Sequence, residues 1–325
     1  MQEFSFIDSI KQSTYRQSSL VKGVGDDAAV FRPVYQDVVT AVDTMVEGVH
    51  FSKATMRPYH VGYRALAVNI SDLAAMGSEP VFYMVSIVAP DDWTEAELAE
   101  IYSGLHDIAA SYRMDLIGGD TVSGSELVVS VTVMGYVPKD KARYRSTAQP
   151  GDIVFVTGTL GDAQAGFELL SGRKQVEDKE ASAYFIKRHR QPSPRPEFAL
   201  ALQSLSRLTL NDISDGLASE ANEIVESSQV ALHIDYDKLP HHHWLASYFP
   251  DETAEWSLTG GEDFELVGCV RGQDWPHVLQ AGEESGLSVT AIGHVEAAAS
   301  DGPRAYLHEQ GKQKVLAKSG YTHLK

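Results

Sequence analysis

Cysteine and basic residues are both scarce in this sequence. Cys269 is the only cysteine, so the chain can form neither an intrachain disulfide nor a zinc site built from thiolates. Lys and Arg number 27 against 45 Asp and Glu among 325 residues, which gives a formal net charge of −18. This balance argues against a protein that binds the phosphate backbone of DNA or RNA. A polyanionic ligand would need metal ions to offset the negative charge of the protein.

Long apolar runs are missing as well. No stretch of apolar residues approaches the length that spans a bilayer. The first residues, Met1 to Asp8, lack the basic and apolar regions of a secretory signal. The expectation is a soluble protein of the cytoplasm. With 43% hydrophobic residues, a chain of 325 residues can bury a substantial core, and its length predicts about two domains.

Familiar nucleotide-binding motifs do not occur. Residues 23–28 do not match Gly-x-Gly-x-x-Gly, and no His-Arg-Asp catalytic loop is found, so neither a Rossmann domain nor a protein kinase is supported. The glycine-rich stretch 157–166 lacks the Lys-Ser/Thr ending of a P-loop, and we interpret it as a structural strand, turn and helix. Adjacent histidines at 241–243 cannot all face one ion from regular structure, which predicts a solvated surface tract.

Short acidic clusters are what the sequence does contain. Most of them lie beside glycine or near the end of a predicted strand, where the backbone can turn. Carboxylates in such places converge at the end of a sheet, where hard cations and phosphates bind. The pattern therefore predicts metal-dependent phosphate chemistry. The clusters are Gly23-Val-Gly-Asp-Asp27, Val42-Asp-Thr44, Asn69-Ile-Ser-Asp72, Gly118-Gly-Asp-Thr121, Asn211-Asp-Ile-Ser-Asp-Gly216 and Gly260-Gly-Glu-Asp-Phe264.

Each cluster also has a structural interpretation. Asp27 and its neighbours form a sequence typical of a plain turn. Asp72 follows Asn69 by three residues on one helix face, where it is either a ligand or a residue at the helix surface. Ser214 or Asp215 is a candidate N-cap, because both stand at a strand-to-helix junction. The occurrence of all the clusters in one chain favours the functional interpretation.

Strand and helix patterns divide the chain into two α+β domains. Beta-branched runs predict strands, and apolar residues at three- and four-residue spacing predict helices. Pro150 and Gly151 interrupt the pattern, so we predict a boundary near residue 149, with domains 1–149 and 150–325. The predicted strands are 38–46, 81–88, 127–137, 153–157 and 208–213, and the predicted helices are 59–76, 95–112 and 217–227.

Taken in order, the clusters closely resemble the thiamine-monophosphate kinase family, from about Gly23 to Gly320. The resemblance also includes Glu47-Gly-Val-His-Phe51 and Ala67 to Gly77. It implies the two-domain fold of the aminoimidazole-ribonucleotide synthetase-like superfamily, with mixed sheets covered by helices and dimerisation through the N-terminal domain. The N-terminal domain would bind ATP and Mg²⁺, and the C-terminal domain would complete the active site. The implied reaction converts ATP and thiamine monophosphate to ADP and thiamine diphosphate, in a homodimer.

The acidic composition fits that reaction. The acceptor is a phosphate monoester whose second pKa is about 6, so its attacking oxygen is mostly ionised at neutral pH and no general base is required. Bringing it to ATP is costly, because two unit charges about 4 Å apart repel by roughly 4 kcal/mol at an effective dielectric near 20. Several Mg²⁺ ions held by aspartates would neutralise both partners.

The resemblance also implies a role for individual residues. It makes Asp27, Asp43, Asp72, Asp120 and Asp212 magnesium ligands, with Asp215 holding a further ion. Nucleotide contacts would come from Tyr102, Gly119, Asp120, Arg145 and Ser214, and thiamine monophosphate contacts from His50, Glu262 and Tyr321. Tyr102 also has the spacing of a helix-core aromatic.

Two departures from the family pattern stand out. Ala41 and Val42 offer only backbone carbonyls where many relatives carry Ser or Thr. The chain ends Gly320-Tyr-Thr-His-Leu324, where relatives often have Gly-Tyr/Trp-Asp-His-Phe.

Two other functions use similar residues. A haloacid-dehalogenase-like phosphatase needs two aspartates two residues apart, but Asp212 and Asp215 are three apart. A non-enzymatic scaffold of the same superfamily, as in hydrogenase maturation, is the other alternative. The motifs Glu47-Gly-Val-His50 and 260–263 fit the kinase better than this scaffold.

Overall fold

The computed structural model describes residue 12 and residues 14–22, 30–33, 35–300 and 302–320. The chain divides into two compact units, which are described separately. The first contains residues 1–73 and 78–142, and the second contains residues 74–77 and 143–325. Both units combine sheets with helices, which confirms the predicted α+β class. Two predicted site residues, Asp27 and Tyr321, lie outside the described residues.

The first unit is built on a mixed sheet, whose described part has four strands in the order β3-β6-β4-β5. Strands β4 and β5 are parallel, and the other neighbours are antiparallel. A short antiparallel pair, β1 with β2, forms a separate sheet, and its Leu20 and Phe31 pack against the larger one. The elements are β1 (Leu20–Lys22), β2 (Val30–Phe31), β3 (Gln36–Val46), α1 (Pro58–Ala75), β4 (Glu79–Ala89), α2 (Glu95–Ser111), β5 (Asp115–Ser123) and β6 (Val128–Pro138).

Helices α1 and α2 cover one face of this sheet. Glycines allow close packing of the two helices, since a Cβ on Gly62 would lie 1.8 Å from the carbonyl oxygen of Ile101. Helix α2 begins with a capping box, in which the Thr94 side chain accepts from the Glu97 N–H and the Glu97 carboxylate accepts from the Thr94 N–H. The shared core contains Leu66, Ile70, Leu98, Leu105, Val85, Val131 and Val133.

The opposite face of the sheet is less covered. Phe82, Ile117 and Tyr136 form a small buried cluster there. Towards the two edges, Val42 on β3 and Val122 on β5 are 59% and 47% exposed. This face therefore keeps apolar side chains in contact with solvent.

The second unit contains a larger sheet, whose described strands follow the order β13-β12-β9-β11-β7-β10-β8. Only β12 and β9 among these neighbours are parallel. A 3-10 turn at Arg145–Thr147 precedes the sheet. The elements are β7 (Asp152–Thr157), α3 (Asp162–Leu170), α4 (Lys179–Arg190), α5 (Pro196–Ala201), β8 (Thr209–Ile213), α6 (Leu217–Ser228), β9 (Val230–Asp235), α7 (His243–Tyr248), α8 (Thr253–Thr259), β10 (Glu265–Arg271), α9 (Trp275–Glu284), β11 (Val289–Ala297), β12 (Arg304–Glu309) and β13 (Lys312–Val315).

Both faces of the larger sheet are buried. Helix α6 packs on one face, where Leu217 and Val225 meet Val267 of β10. Helices α5 and α9 pack on the other face, where Phe198 and Val278 share a core with Phe155. Strand β8 lies at the edge of the sheet, so its carboxyl end and the loop that follows mark one side of the unit.

The predicted strands and helices are confirmed to within a few residues at each end. The stretch 157–166 forms a strand, a turn and helix α3, as expected. The N–H groups at the start of α3 are already bonded, because Gly161 and Ala163 both donate to the carboxylate of Asp263.

The prediction for the histidine tract needs a correction. His241 and His243 are exposed, but His242 is half-buried and its Nδ1 accepts the N–H of Trp244 at the start of α7. Its ring also stacks on Tyr184, with centroids 4.2 Å apart. A neutral imidazole can cap a helix as an Asn side chain does. The sequence-based prediction did not consider this role for histidine.

No helix in the described part of the chain combines the length and the apolar character needed to cross a bilayer.

Candidate functional site

In the first unit, the side chain of Asn69 links β3 to α1 next to two predicted ligands. The N–H of Asp43 donates to Asn69 Oδ1 at 3.0 Å, and Asn69 Nδ2 donates to the carbonyl of Ala65 at 2.8 Å. Asn69 is fully buried, so this amide is held in one orientation. Asp72 lies three residues further along α1, on the same face of the helix. Asp43 and Asp72 thus belong to one region of this unit.

Strand β5 carries the other predicted residues of the first unit. Asp120 is exposed, and its Oδ1 accepts the N–H of Thr121 at 2.9 Å. Gly119 precedes it, in register with Val85 of β4. Tyr102 of α2 is hydrogen-bonded to Thr121, and burial raises the pKa of its hydroxyl to about 12. Tyr102 therefore belongs to the core and also reaches the residue next to Asp120, while its contact with a nucleotide stays a prediction.

The strand order separates Asp43 from Asp120. They stand on β3 and β5, the two edges of the sheet, with β6 and β4 between them. Three inter-strand steps of about 4.8 Å place these strands roughly 14 Å apart. Asp43 is in register with buried Val131 on the helix-covered face, whereas Asp120 is in register with exposed Ser86 on the other face. One copy of the first unit does not bring the two carboxylates together.

His50 lies in the turn after β3. Its Nδ1 accepts the N–H of Val46 at 3.0 Å, so the proton of the neutral ring is on Nε2. The turn is fixed to the rest of the unit through Glu47, whose carboxylate accepts the indole N–H of Trp93 at 2.9 Å.

In the second unit, the predicted residues gather at the carboxyl end of β8. Asp212 is buried in the strand, and Ser214 and Asp215 follow in the loop before α6. Neither of them caps the helix, because Gly216 is the N-cap and no side chain bonds there. The alternative interpretation as an N-cap is therefore wrong.

Arg145 approaches this loop from the 3-10 turn. Its Nε donates to Asn211 Oδ1 at 2.8 Å, and its Nη1 pairs with the carboxylate of Glu223. Asn211 Nδ2 donates in turn to Glu220 Oε2 at 2.5 Å. Glu220 Oε1 accepts the N–H of Asp215 at 3.3 Å. The arrangement connects a predicted nucleotide contact to a predicted metal ligand.

Glu220 is a site residue that sequence reasoning missed. Burial raises its pKa to about 8, with further increases from the negative charges of Asp212, Glu223 and Asp215. In the sequence it resembles an acidic residue that complements the N-terminus of a helix. Its position in the first turn of α6 could have indicated this role, because side chains there point back toward the preceding loop.

The loop around Glu262 is bonded directly to the Ser214 loop. The N–H of Glu262 donates to the carbonyl of Ser214 at 2.6 Å, and the N–H of Phe264 donates to that of Ile213 at 2.9 Å. Glu262 and Phe264 both have positive φ values, 72° and 51°, which are strained for residues with side chains. The Glu262 carboxylate lies 3.5 Å from Nδ1 of buried His189. The second unit thus joins a predicted nucleotide loop to a predicted substrate loop.

Two further residues complete the description of this region. A Cβ on Gly320 would lie 2.1 Å from the carbonyl oxygen of Asp215, so the chain before Tyr321 passes directly against the loop. Asp263 has a structural role, since it accepts the N–H groups at the start of α3. Burial raises its pKa to about 8.

Within the described residues, no three His, Cys, Asp or Glu side chains are grouped in a way that would hold a metal ion. The candidate ligands near one another are all carboxylates, which suit hard cations such as Mg²⁺. Around Glu220 the clustered negative charges are costly to keep ionised, as its raised pKa indicates, and a cation would relieve that cost. The donor set therefore fits Mg²⁺.

The chain is similar to known proteins over nearly its whole length. Residues 25–137 match the N-terminal domain of AIR synthase related proteins, and residues 149–304 match the C-terminal domain. The thiamine-monophosphate kinase of Bacillus subtilis strain 168 is 45% identical over 329 residues, covering 100% of both chains. The crystal structure of the thiamine-monophosphate kinase from Stenotrophomonas maltophilia K279a superimposes with a TM-score of 0.85 at 32% identity, covering 96% of this chain and 98% of that one.

A second solved structure contains ligands. It is AaThiL complexed with AMPPCP and TMP, with a TM-score of 0.76 at 30% identity, covering 95% of this chain and 94% of that one. The matches extend over both units and nearly the whole length of each relative. The chain belongs to the AIR synthase related protein family and, within it, to the thiamine-monophosphate kinases.

Proposed function

We propose that this protein transfers the γ-phosphoryl group of ATP directly to the phosphate of thiamine monophosphate, giving ADP and thiamine diphosphate. The observation that carries the proposal is the full-length similarity to thiamine-monophosphate kinases, at 45% identity to the Bacillus subtilis protein. The two ligands of the AaThiL complex, AMPPCP and TMP, correspond in this proposal to ATP and to the acceptor. The cytoplasmic location expected from the sequence is part of the same proposal.

The site residues suit a reaction without a general base. The acceptor oxygen is already ionised at neutral pH, because the second pKa of a phosphate monoester is about 6. The protein then has to bind, orient and neutralise two anions. Arg145 supplies a guanidinium for the nucleotide phosphates, held by Asn211 and Glu223. Ser214 and Gly119 with Asp120 are the further nucleotide contacts, and Tyr102 supports them from the core.

Two residues are assigned to thiamine monophosphate. His50 is assigned to the acceptor phosphate, and its ring is oriented by the N–H of Val46, which donates to Nδ1. Glu262 supplies a negative charge for the cationic thiazolium. The strained backbone at Glu262 supports a functional role, because strain is retained where geometry is needed. Tyr321 is the third substrate contact in this proposal.

We assign the metal sites to the aspartates that the family resemblance selects. Asp43, Asp72 and Asp120 in the first unit and Asp212 and Asp215 in the second would hold Mg²⁺, together with Asp27. Bound Mg²⁺ would neutralise the phosphates and the charge that develops during transfer. The pKa of Glu220, which is raised by burial and by neighbouring carboxylates, supports a cation in the second unit.

The same reasoning supports a homodimer. A Mg²⁺–oxygen bond is about 2.1 Å long, so one ion cannot bridge carboxylates on strands roughly 14 Å apart. Asp43 and Asp120 stand on opposite edge strands of the first unit. In our proposal two copies meet at the edge strands of their sheets, where Val42 of β3 and Val122 of β5 are exposed, and Asp120 of one copy serves with Asp43 of the other.

One assay separates this function from its two rivals. The protein is incubated with Mg²⁺ and thiamine monophosphate, with and without ATP, and the products are separated by chromatography. A kinase forms thiamine diphosphate only with ATP. A phosphatase releases free phosphate from the monoester without ATP, and a scaffold produces neither.

A further inference from the structure

The Arg145 guanidinium is held in place although much of it is exposed. Its side chain is 48% accessible, and an arginine so exposed ordinarily samples many rotamers. Here Nε donates to Asn211 and Nη1 pairs with Glu223, which fixes the plane of the guanidinium. Asn211, which accepts from Nε, can therefore determine the orientation of the Arg145 guanidinium.

Burial of the Asn211 side chain is energetically unfavourable at its position in β8. It is 1% exposed in β8, in register with Val267 of the apolar core, so an aliphatic side chain would be expected there. A buried amide costs free energy unless it is hydrogen-bonded, and both ends of this one are. Oδ1 accepts from Arg145 and Nδ2 donates to Glu220, which settles the orientation of the amide.

Glu220 carries the connection onward. Its Oε2 accepts from Asn211 at 2.5 Å, and its Oε1 accepts the N–H of Asp215 at 3.3 Å. Ser214 Oγ lies 3.5 Å from the same Oε1. One carboxylate thus ties the amide of Asn211 to the loop that holds Ser214 and Asp215.

We propose that Asn211 and Glu220 are positioning residues, which fix the Arg145 guanidinium relative to Ser214 and Asp215 and thereby set how well the enzyme uses ATP. The inference rests on the proposed function and deepens it, because it names the residues that hold the nucleotide contacts in register. Neither residue needs to touch the substrates.

The test exchanges the donor and the acceptor. Asn211→Asp keeps the size of the side chain and still accepts from Arg145, but two carboxyl groups then face each other at Glu220. Glu220→Gln still accepts the Asp215 N–H, but its amide then faces the amide of Asn211. In the double variant Asn211→Asp/Glu220→Gln, the new amide donates to the new carboxylate, all the hydrogen bonds are restored, and the net charge is unchanged.

Steady-state kinetics, with ATP and thiamine monophosphate each varied in turn, give the readout. We expect each single variant to lower kcat/KM for ATP by about tenfold or more, and the double variant to return to within about threefold of the wild type. The KM for thiamine monophosphate should stay nearly constant in all three. A double variant as poor as the product of the two single losses would overturn the proposal.

A second background tests whether the two residues act through Arg145. In Arg145→Met, adding Asn211→Asp should change kcat/KM for ATP by less than about twofold, because the guanidinium that Asn211 orients is absent from this variant. A full additional loss would mean that Asn211 supports the strand in general, and would overturn the proposal.

Thr209→Val is the matched control. Thr209 lies on the same strand and shares a hydrogen bond of 2.8 Å with Thr147 of the same 3-10 turn, but it does not contact the guanidinium. It should leave kcat/KM for ATP nearly unchanged, and a loss as large as that of Asn211→Asp would count against the proposal. Wild-type enzyme that forms no thiamine diphosphate would instead refute the proposed function, so the two failures are distinguishable.

Discussion

The two units hold their carboxylates in different ways. In the first unit Asp43 and Asp120 are exposed and stand on opposite edges of the sheet. In the second, Asp212 and Glu220 are buried and close enough for their charges to interact, and Glu220 is joined to Arg145 through Asn211. The second group is organised within one chain, with a cost visible in the raised pKa of Glu220. In our proposal, the members of the first group are brought together by something outside the chain, a second copy or bound ligands.

The largest expected effect comes from a carboxylate of the first unit. Asp120→Asn keeps the shape of the side chain but removes the charge that a magnesium ligand needs, so kcat should fall by roughly a hundredfold or more. Because Asp120 is exposed, the unfolding temperature should hardly change. Asp91→Asn, at an exposed carboxylate in the loop before α2, is the control and should retain full activity. Near-normal turnover of Asp120→Asn at saturating Mg²⁺ would refute the ligand assignment.

Coexpression of two inactive variants tests whether the carboxylates of the first unit act in different chains. Asp43→Asn and Asp120→Asn should each be inactive alone. If Asp43 of one copy works with Asp120 of the other, coexpression restores one intact site in each mixed dimer, and about a quarter of wild-type activity should return. Each variant coexpressed with itself is the control. Continued inactivity of purified mixed dimers would place both carboxylates in one chain's site and contradict the dimer proposal.

The same experiment on the second unit should have the opposite outcome. Asp212→Asn and Arg145→Met concern residues of one cluster, so a mixed dimer of the two contains no intact site. No activity should return beyond that of the separate variants. Recovery to the level expected for the first unit would show that the buried cluster is also shared between chains.

Smaller changes in the two Michaelis constants should distinguish Arg145 from Glu262 in the second unit. Arg145→Met would remove the charge-assisted hydrogen bonds that we propose to the ATP phosphates, so KM for ATP should rise or kcat fall by roughly tenfold or more. Glu262→Gln removes the negative charge near the thiazolium, so it should raise KM for thiamine monophosphate and leave KM for ATP nearly unchanged. An unaltered KM for thiamine monophosphate in Glu262→Gln would withdraw that residue from the substrate site.

The smallest expected effect lies away from both carboxylate groups. His233 is stacked on His294 with centroids 5.0 Å apart, and its Nδ1 lies 2.8 Å from Nε2 of His308. Burial and these neighbours lower the pKa of His233, although Glu296 acts in the opposite direction. The unfolded state therefore binds the proton more tightly, and stability is lost as the pH falls below about 6.5. The Tm should drop by a few degrees between pH 7.5 and pH 5.5, and less so in His233→Gln.

The local elements could be predicted from the sequence, because periodicity and glycine-bounded acidic motifs act over short distances. The strand order could not, and it is the strand order that separates Asp43 from Asp120. Asn211 and Glu220 were missed for a related reason. Asn211 stands in a strand and Glu220 in the first turn of a helix, and neither position reveals the contact between them. The capping role of His242 could not be predicted either, because adjacent histidines are typical of a solvated tract.

The most direct test of the central claim compares two acceptors. Wild-type protein with ATP and Mg²⁺ is supplied with thiamine monophosphate or with unphosphorylated thiamine, and the products are quantified. None of the residues assigned to the proposed site is placed as a base for the proton of a free hydroxyl, so we expect rapid formation of thiamine diphosphate and almost no phosphorylation of thiamine. Efficient phosphorylation of thiamine, or no diphosphate from the monophosphate, would contradict it.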